Sequence, residues 1–248
     1  MRKLLSVFIP VVLILFAAAC GKDPAPSISP SDLDPANLSS ADESTSGEAE
    51  NTDGIFVTIA AEGEIVLGYQ KLTPVDLDSD GDISVKEALI SAHEQFFGGG
   101  AKEGFSTATG EWGEYISKLW GIENGGAYGY YIDDAPAMTL DDSVPVGSYL
   151  YACAYKDAAN YSDVYTCFQE LTRSDDSITL IVTMGVFEED GSFGLSHLSG
   201  AKISVDGEET DLVTDEDGIV TVNINTGVSH TFTDSSDTLT IMPNIFVS

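Results

Sequence analysis

Asp76-Leu77-Asp78-Ser79-Asp80-Gly81-Asp82-Ile83-Ser84-Val85-Lys86-Glu87 is the stretch from which the rest of the chain is read. In a loop that wraps back on itself, carboxylates at positions one, three and five (Asp76, Asp78, Asp80) converge on one point. Gly81, at position six, allows the sharp turn that a Cβ would obstruct. Asp82 offers its backbone carbonyl at position seven, Ser84 acts through a water at nine, and Glu87 closes the shell with two oxygens at twelve. A shell of about six to eight oxygens is what the hard cation calcium takes. Ile83, at position eight, is apolar and suited to fasten the loop to a core.

The register D-x-D-x-D-G-x5-E resembles the calcium loop of an EF-hand. A second reading needs no metal: Ser84-x-x-Glu87 is a capping box, which starts a helix by itself. The full set of ligands, glycine and closing glutamate favours calcium. Five carboxylates exceed the charge of one ion, so metal binding and local folding are expected to be coupled. Only the exiting helix is expected, because Pro74 and the strand-like residues before it leave no room for an entering one. This half-hand resembles the calcium loops of dockerins, which carry two such repeats where this chain has one.

Ten Lys and Arg face 41 Asp and Glu in 248 residues, a net of −31. That balance argues against nucleic acid and against an anionic membrane surface as partners. Residues 1–20 read as a targeting segment. Arg2 and Lys3 form its positive end, Leu4 to Phe16 its apolar run, and Ala17-Ala18-Ala19 precede Cys20. This resembles the lipobox of bacterial lipoproteins, with Cys20 lipid-modified. The implied location is the bacterial cell membrane, lipid-anchored on the extracytoplasmic face. The alternatives are an ordinary cleaved signal peptide or a retained signal anchor. Loss of Arg2 and Lys3 leaves eight basic against 41 acidic residues, a net of −33. Residues 21–53 are rich in Pro, Ser, Asp, Asn and Glu and hold no aromatic residue, which makes them a disordered tether.

Residues 54–172 read as an α+β domain. Ile55–Ile59 and Glu64–Tyr69 form a hairpin around Ala61-Glu62-Gly63. A helix runs from Ser84 to about Phe97, with Val85, Ala88, Leu89, Ala92 and Phe96 on one face. Residues 101–121 fit either a short helix or a bent strand. Tyr128–Ile132 and Tyr149–Lys156 are strands, the latter with Asp163–Leu171 as hairpin partner. A turn near Asn160 then places Cys153 opposite Cys167, and an oxidising compartment permits a disulfide between them; two buried free thiols are the alternative. From the calcium loop to Asp157 the chain resembles the DUF4430 family, the transcobalamin-C-terminal-like domain. The marks are the aromatic strand before a turn (Tyr128 to Asp134) and the loop before a late strand (Pro145 to Tyr149). The resemblance, over roughly residues 55–171, implies a β-grasp-like fold and a ligand surface in relatives that bind corrinoids.

Residues 172–177 read as a short polar joint, and 177–248 as a small all-β, Ig-like sandwich domain. "GAKISVDGEETDLVTDEDGIVTVNIN" resembles surface modules of the Cna-B or transthyretin-like type. Asp215-Glu216-Asp217-Gly218 is a turn and not a second calcium loop, because the alternating ligands and closing glutamate are missing.

No H-E-x-x-H, C-x-x-C, P-loop or G-x-S-x-G occurs, and His93, His197 and His230 are scattered. The chain is therefore expected not to be an enzyme. Trp112, Trp120, Tyr128, Tyr130 and Tyr131 fall in an aromatic-rich stretch. They serve either as core or as a stacking surface for a glycan or a flat macrocycle. Two functions follow: a calcium-braced lipoprotein that binds a small ligand, or a structural or adhesive surface protein that calcium only rigidifies. A concave aromatic pocket between residues 128 and 155 distinguishes the first from the second.

Overall fold

The computed structural model describes residues 54–225 and 227–248, so the expected signal peptide, Cys20 and the tether lie outside the described residues. Among those described, no helix is long and apolar enough to cross a membrane.

The chain begins with the hairpin of β1 (Ile55–Ala61) and β2 (Glu64–Leu72). Its two turn residues, Glu62 (φ 52°) and Gly63 (φ 88°), both take the left-handed conformation that tight hairpin turns demand. The loop of residues 73–84 leads into α1 (Val85–Phe96), and a short α2 (Gly100–Gly104) follows. The stretch that sequence left open is the separate hairpin of β3 (Ser106–Gly110) and β4 (Gly113–Lys118). Then come β5 (Tyr128–Ile132), β6 (Ala135–Pro136) and β7 (Tyr149–Ala154).

These strands form a sheet in the order β2-β1-β7-β5-β6. The central β1 and β7 run parallel, from Phe56↔Tyr149 to Ala61↔Ala154, and the neighbouring pairs are antiparallel. This is a β-grasp-like arrangement, a mixed sheet holding α1 on one face. Val85, Ala88, Leu89 and Ala92 are fully buried against Ile55, Val57, Ile59 and Leu150. The helix face is apolar at the spacing that places these residues in one stripe, and that stripe is what pins α1 to the sheet.

The second half is all β: β8 (Val164–Arg173), β9 (Ser177–Phe187), β10 (Phe193–His197), β11 (Lys202–Val205), β12 (Glu208–Val213), β13 (Ile219–Asn223), β14 (Thr231–Ser235), β15 (Ile241–Met242) and β16 (Ile245–Val247). One sheet runs β10-β9-β8-β15, with β13 also on β9; the other runs β12-β11-β14-β16. Ile178, Leu180, Val182, Ile203, Val222 and Phe232 fill the space between them, as in a sandwich.

Two sequence expectations are corrected here. Asp163–Leu171 does not pair with Tyr149–Lys156. Both edges of β7 are occupied, by β1 and β5, and β8 instead pairs with β9 from Thr166↔Met184 to Arg173↔Ile178. The polar joint expected at 172–177 is accordingly the turn of the β8–β9 hairpin, closed by the Ser174 amide on the Ser177 carbonyl. The chain passes from one half to the other earlier, through residues 155–163.

The two halves share a third core. Tyr131, Tyr151, Cys153 and Ala60 line the sheet face opposite α1, and Tyr165, Cys167 and Met242 pack onto them. Tyr131 and Tyr165 stack with ring centroids 3.9 Å apart. Tyr151 donates its hydroxyl to the Pro243 carbonyl at 3.0 Å, and Tyr149 donates to Asn244 Oδ1 at 2.6 Å. Both faces of the first sheet are thereby covered.

Candidate metal site

The loop of residues 76–87 is built by its own side chains. Asp76 Oδ1 accepts from the Ser79 amide at 2.7 Å and its Oδ2 from the Gly81 amide at 3.0 Å. Asp78 accepts from the Asp80 amide at 3.2 Å, and Asp80 from the Asp82 amide at 2.9 Å. These successive Asx turns curl the backbone. Gly81 holds φ +96°, a conformation that L side chains rarely adopt, although a Cβ there would meet no atom. The glycine is thus required for its backbone and not for space.

One carboxylate oxygen from each of Asp76, Asp78 and Asp80 lies within 4.8 Å of the other two. Oxygens at about 2.4 Å from a shared calcium ion stand up to about 4.8 Å apart, so the cluster has the dimensions of a coordination shell. This exposed acidic cluster can hold a metal ion. On Asp78 the largest single influence, the Asp80 amide, favours ionisation. Desolvation and the charges of Asp80, Glu87 and Asp76 outweigh it and raise its pKa above the ordinary value. Such crowding is what a cation relieves.

Glu87, the expected closing ligand, lies outside this three-carboxylate cluster. It is buried, and its Oε1 accepts from the amides of Leu77 (2.7 Å) and Asp78 (3.3 Å). Its Oε2 accepts from the Ser84 amide and hydroxyl, both at 2.9 Å. Burial is the largest influence on its ionisation and raises it; the hydrogen bonds together prevail and hold the carboxyl below its usual range. The capping box expected from Ser84-x-x-Glu87 is fully formed. Glu87 therefore caps α1 and folds the front of the loop back onto the helix start.

The loop has a partner remote in the chain. Ile83 O accepts from the Val144 amide at 2.7 Å, Ser84 bridges Ser143, and the Val85 and Lys86 amides donate to Asp142 O and Leu140 O. Residues 140–144 thus occupy the place of a second hand beside position eight. Asp142 shapes that segment by accepting from the amides of Met138 and Thr139 and the Thr139 hydroxyl. The one hint in sequence was Thr139-x-x-Asp142, a local capping pattern. Val75 also donates its amide to Ser91 Oγ at 3.0 Å, tying the loop entrance to α1.

The expected aromatic site does not assemble. Trp120 is 6% exposed, packed on Phe97 and His93, whereas Trp112 is 95% exposed at the β3–β4 tip. Tyr128 and Tyr130 lie against the α1 core and Tyr131 in the core between the halves. Tyr128 and Tyr130 share one face of β5 and Tyr131 takes the other, and each face meets a packed layer. Cys153 and Cys167 are free thiols. With β7 and β8 in different sheets the hairpin that was to pair them does not exist. Cys167 instead contacts Thr183 Oγ1 at 3.1 Å, and burial pushes each thiol up to about 12.

No protein-family model, curated protein or solved structure matches the chain.

Proposed function

We propose that this chain is a lipid-anchored, extracytoplasmic surface protein whose folded part is braced by one calcium ion and acts without catalysis. The observation that carries it is the convergence of Asp76, Asp78 and Asp80 in a loop of EF-hand register. Calcium takes those three carboxylates, the Asp82 carbonyl and Glu87. Glu87 must loosen its hold on the Leu77 and Asp78 amides to join the shell, so affinity is modest, in the ~10⁻⁴–10⁻³ M range of extracellular modules.

Against capture of a glycan or a flat macrocycle, the structural or adhesive function is favoured. The aromatic residues that would have stacked on a glycan or corrinoid-like macrocycle are mostly taken up in cores. The β-grasp-like sheet supports the transcobalamin-C-terminal-like resemblance at the level of fold, and the Cna-B-like resemblance of the C-terminal half fits a spacer or adhesive module.

Calorimetry and thermal melts with calcium and with chelator test the metal. The expected result is one binding event and a higher melting temperature, since a ligand that prefers the folded state shifts unfolding by mass action. Unchanged melting in millimolar calcium with no binding heat leaves only an acidic helix cap.

A further inference from the structure

We infer that the cleft where β2, β7 and the β5–β6 turn meet β8 and β16 is a binding site for a small organic cation of the alkylammonium type. It rests on residues remote in sequence from the calcium loop and goes beyond the calcium reading.

The cleft has a volume of about 170 Å³. That is below the ~300–1,000 Å³ of sites for drug-sized ligands, so its occupant has few atoms. Four rings line it: Tyr69, Tyr149, Phe168 and Phe246. Tyr69 and Tyr149 lie with centroids 5.6 Å apart, and Phe56 stacks behind Tyr69 at 4.7 Å. The bond from Tyr149 to Asn244 fixes the Tyr149 ring, and Asn244, itself buried, also lines the cleft. Asp134 supplies the one carboxylate among the described residues, its Oδ1 anchored by the Tyr165 hydroxyl at 2.6 Å.

The lining discriminates among guests. Among the described residues it contains no Lys, Arg or His, so an anion finds a carboxylate and the negative faces of aromatic rings. A neutral apolar guest leaves Asp134 without a counter-charge, and burial already raises that carboxyl above its ordinary range. A bare calcium ion finds too few oxygens for its shell of about six to eight. An alkylammonium group satisfies both features, because its charge pairs with Asp134 while its methyl groups meet the ring faces. The chain's net of −31 raises the local concentration of such cations.

The test titrates the full chain, in non-ionic detergent, with tetramethylammonium chloride, with choline chloride and with 3,3-dimethyl-1-butanol, the neutral carbon isostere of choline. Ligand-observed NMR reads binding. Both cations are expected to bind saturably, and the isostere about tenfold or more weakly. Asp134→Asn should weaken the cations by about tenfold while leaving the isostere unchanged. Asparagine suits the site, since Asp134 holds φ 66° and asparagine tolerates that region and still accepts from Tyr165. Equal affinity for choline and its isostere, or no saturable binding of either cation up to about 10 mM, overturns the assignment. Both outcomes are read on the unmutated protein.

Discussion

The Val144 amide donates to the Ile83 carbonyl at 2.7 Å, joining position eight of the acidic loop to a residue 61 positions further on. A lone loop normally lacks the neighbour that rigidifies it. Here residues 140–144 supply one, and they sit on α1 as well through the Val85 and Lys86 amides. Order in the loop and order in that segment are therefore coupled.

Asp142→Ala tests the coupling. It removes three hydrogen bonds that shape residues 138–142 but touches none of the acidic cluster. The expected cost in stability is about 1–2 kcal/mol. Calcium affinity should also fall about fivefold, at the lower end of typical coupling between sites. Calorimetry on the variant checks both; an unchanged calcium affinity would show that the segment only supports the helix.

Glu87→Gln separates the two roles of that residue. Glutamine keeps one oxygen to accept from the Ser84 amide and so still serves the capping box. It loses the charge and the second oxygen that calcium needs. The variant should melt somewhat lower in chelator, because its NH2 cannot accept from the Leu77 and Asp78 amides, and should in addition gain little from calcium. A full calcium response in Glu87→Gln would remove Glu87 from the shell.

Much of this loop was legible because each residue type there has its own reason: carboxylates for charge, Gly81 for φ, Ser84 and Glu87 for the cap. Both β1–β2 and α1 were legible from turn chemistry and helical spacing. What was hidden is non-local. Nothing in Asp163–Leu171 says that its hydrogen bonds go to β9 and not to β7, since alternation fixes which face is buried and not which neighbour is paired. The aromatic residues misled for the same reason. Tyrosine suits a half-buried strand, and only the second sandwich layer, brought by Tyr165 and Met242, turns that exposed face into a core.

The two tryptophans should respond oppositely to truncation. Trp112→Ala, at a hairpin tip with almost its whole side chain in water, is expected to change stability by less than about 0.5 kcal/mol. Trp120→Ala empties a site walled by His93 and Phe97, with centroids 5.1 Å away in both cases, and should cost ~3–5 kcal/mol. Urea melts of both variants check this, and similar costs would contradict the placement of either ring.

The thiols should be silent until the protein unfolds. Cys153 and Cys167 are buried and free, and burial suppresses the thiolate that reacts. With Cys20→Ser as background, a thiol reagent should find about two reactive groups per chain in denaturant and almost none in the native state. A disulfide, or fast labelling of the native protein, would contradict the two-sheet arrangement. The same variant reports on the anchor: the native protein should incorporate a fatty-acid label and Cys20→Ser should not, and equal labelling of the two would exclude lipidation at Cys20.

Stability against pH carries two opposed contributions. The Trp120 amide donates to His93 Nε2 at 3.0 Å, so the ring is neutral and its Nδ1–H donates to Leu89 O at 2.6 Å. Burial pushes His93 down from 6.5 to about 4. The unfolded chain then binds the extra proton, and stability is lost as pH falls from 6.5 through about 4, by roughly 3 kcal/mol in all. Asp234 is the reverse case. It is buried, with Oδ1 accepting from Thr166 and Oδ2 without a partner among the described residues, and burial pushes it up from 3.8 to about 7. Here the folded chain binds the extra proton, so stability is present below 3.8 and is lost as pH rises through about 7. Between about 4 and 6.5 the two slopes largely cancel. Urea melts in chelator, which removes the pH dependence of metal binding, should separate them. Relative to the native protein, His93→Gln should gain stability as pH falls through this window, and Asp234→Asn should lose it. Parallel profiles for the native protein and both variants would show that neither group titrates differently in the fold.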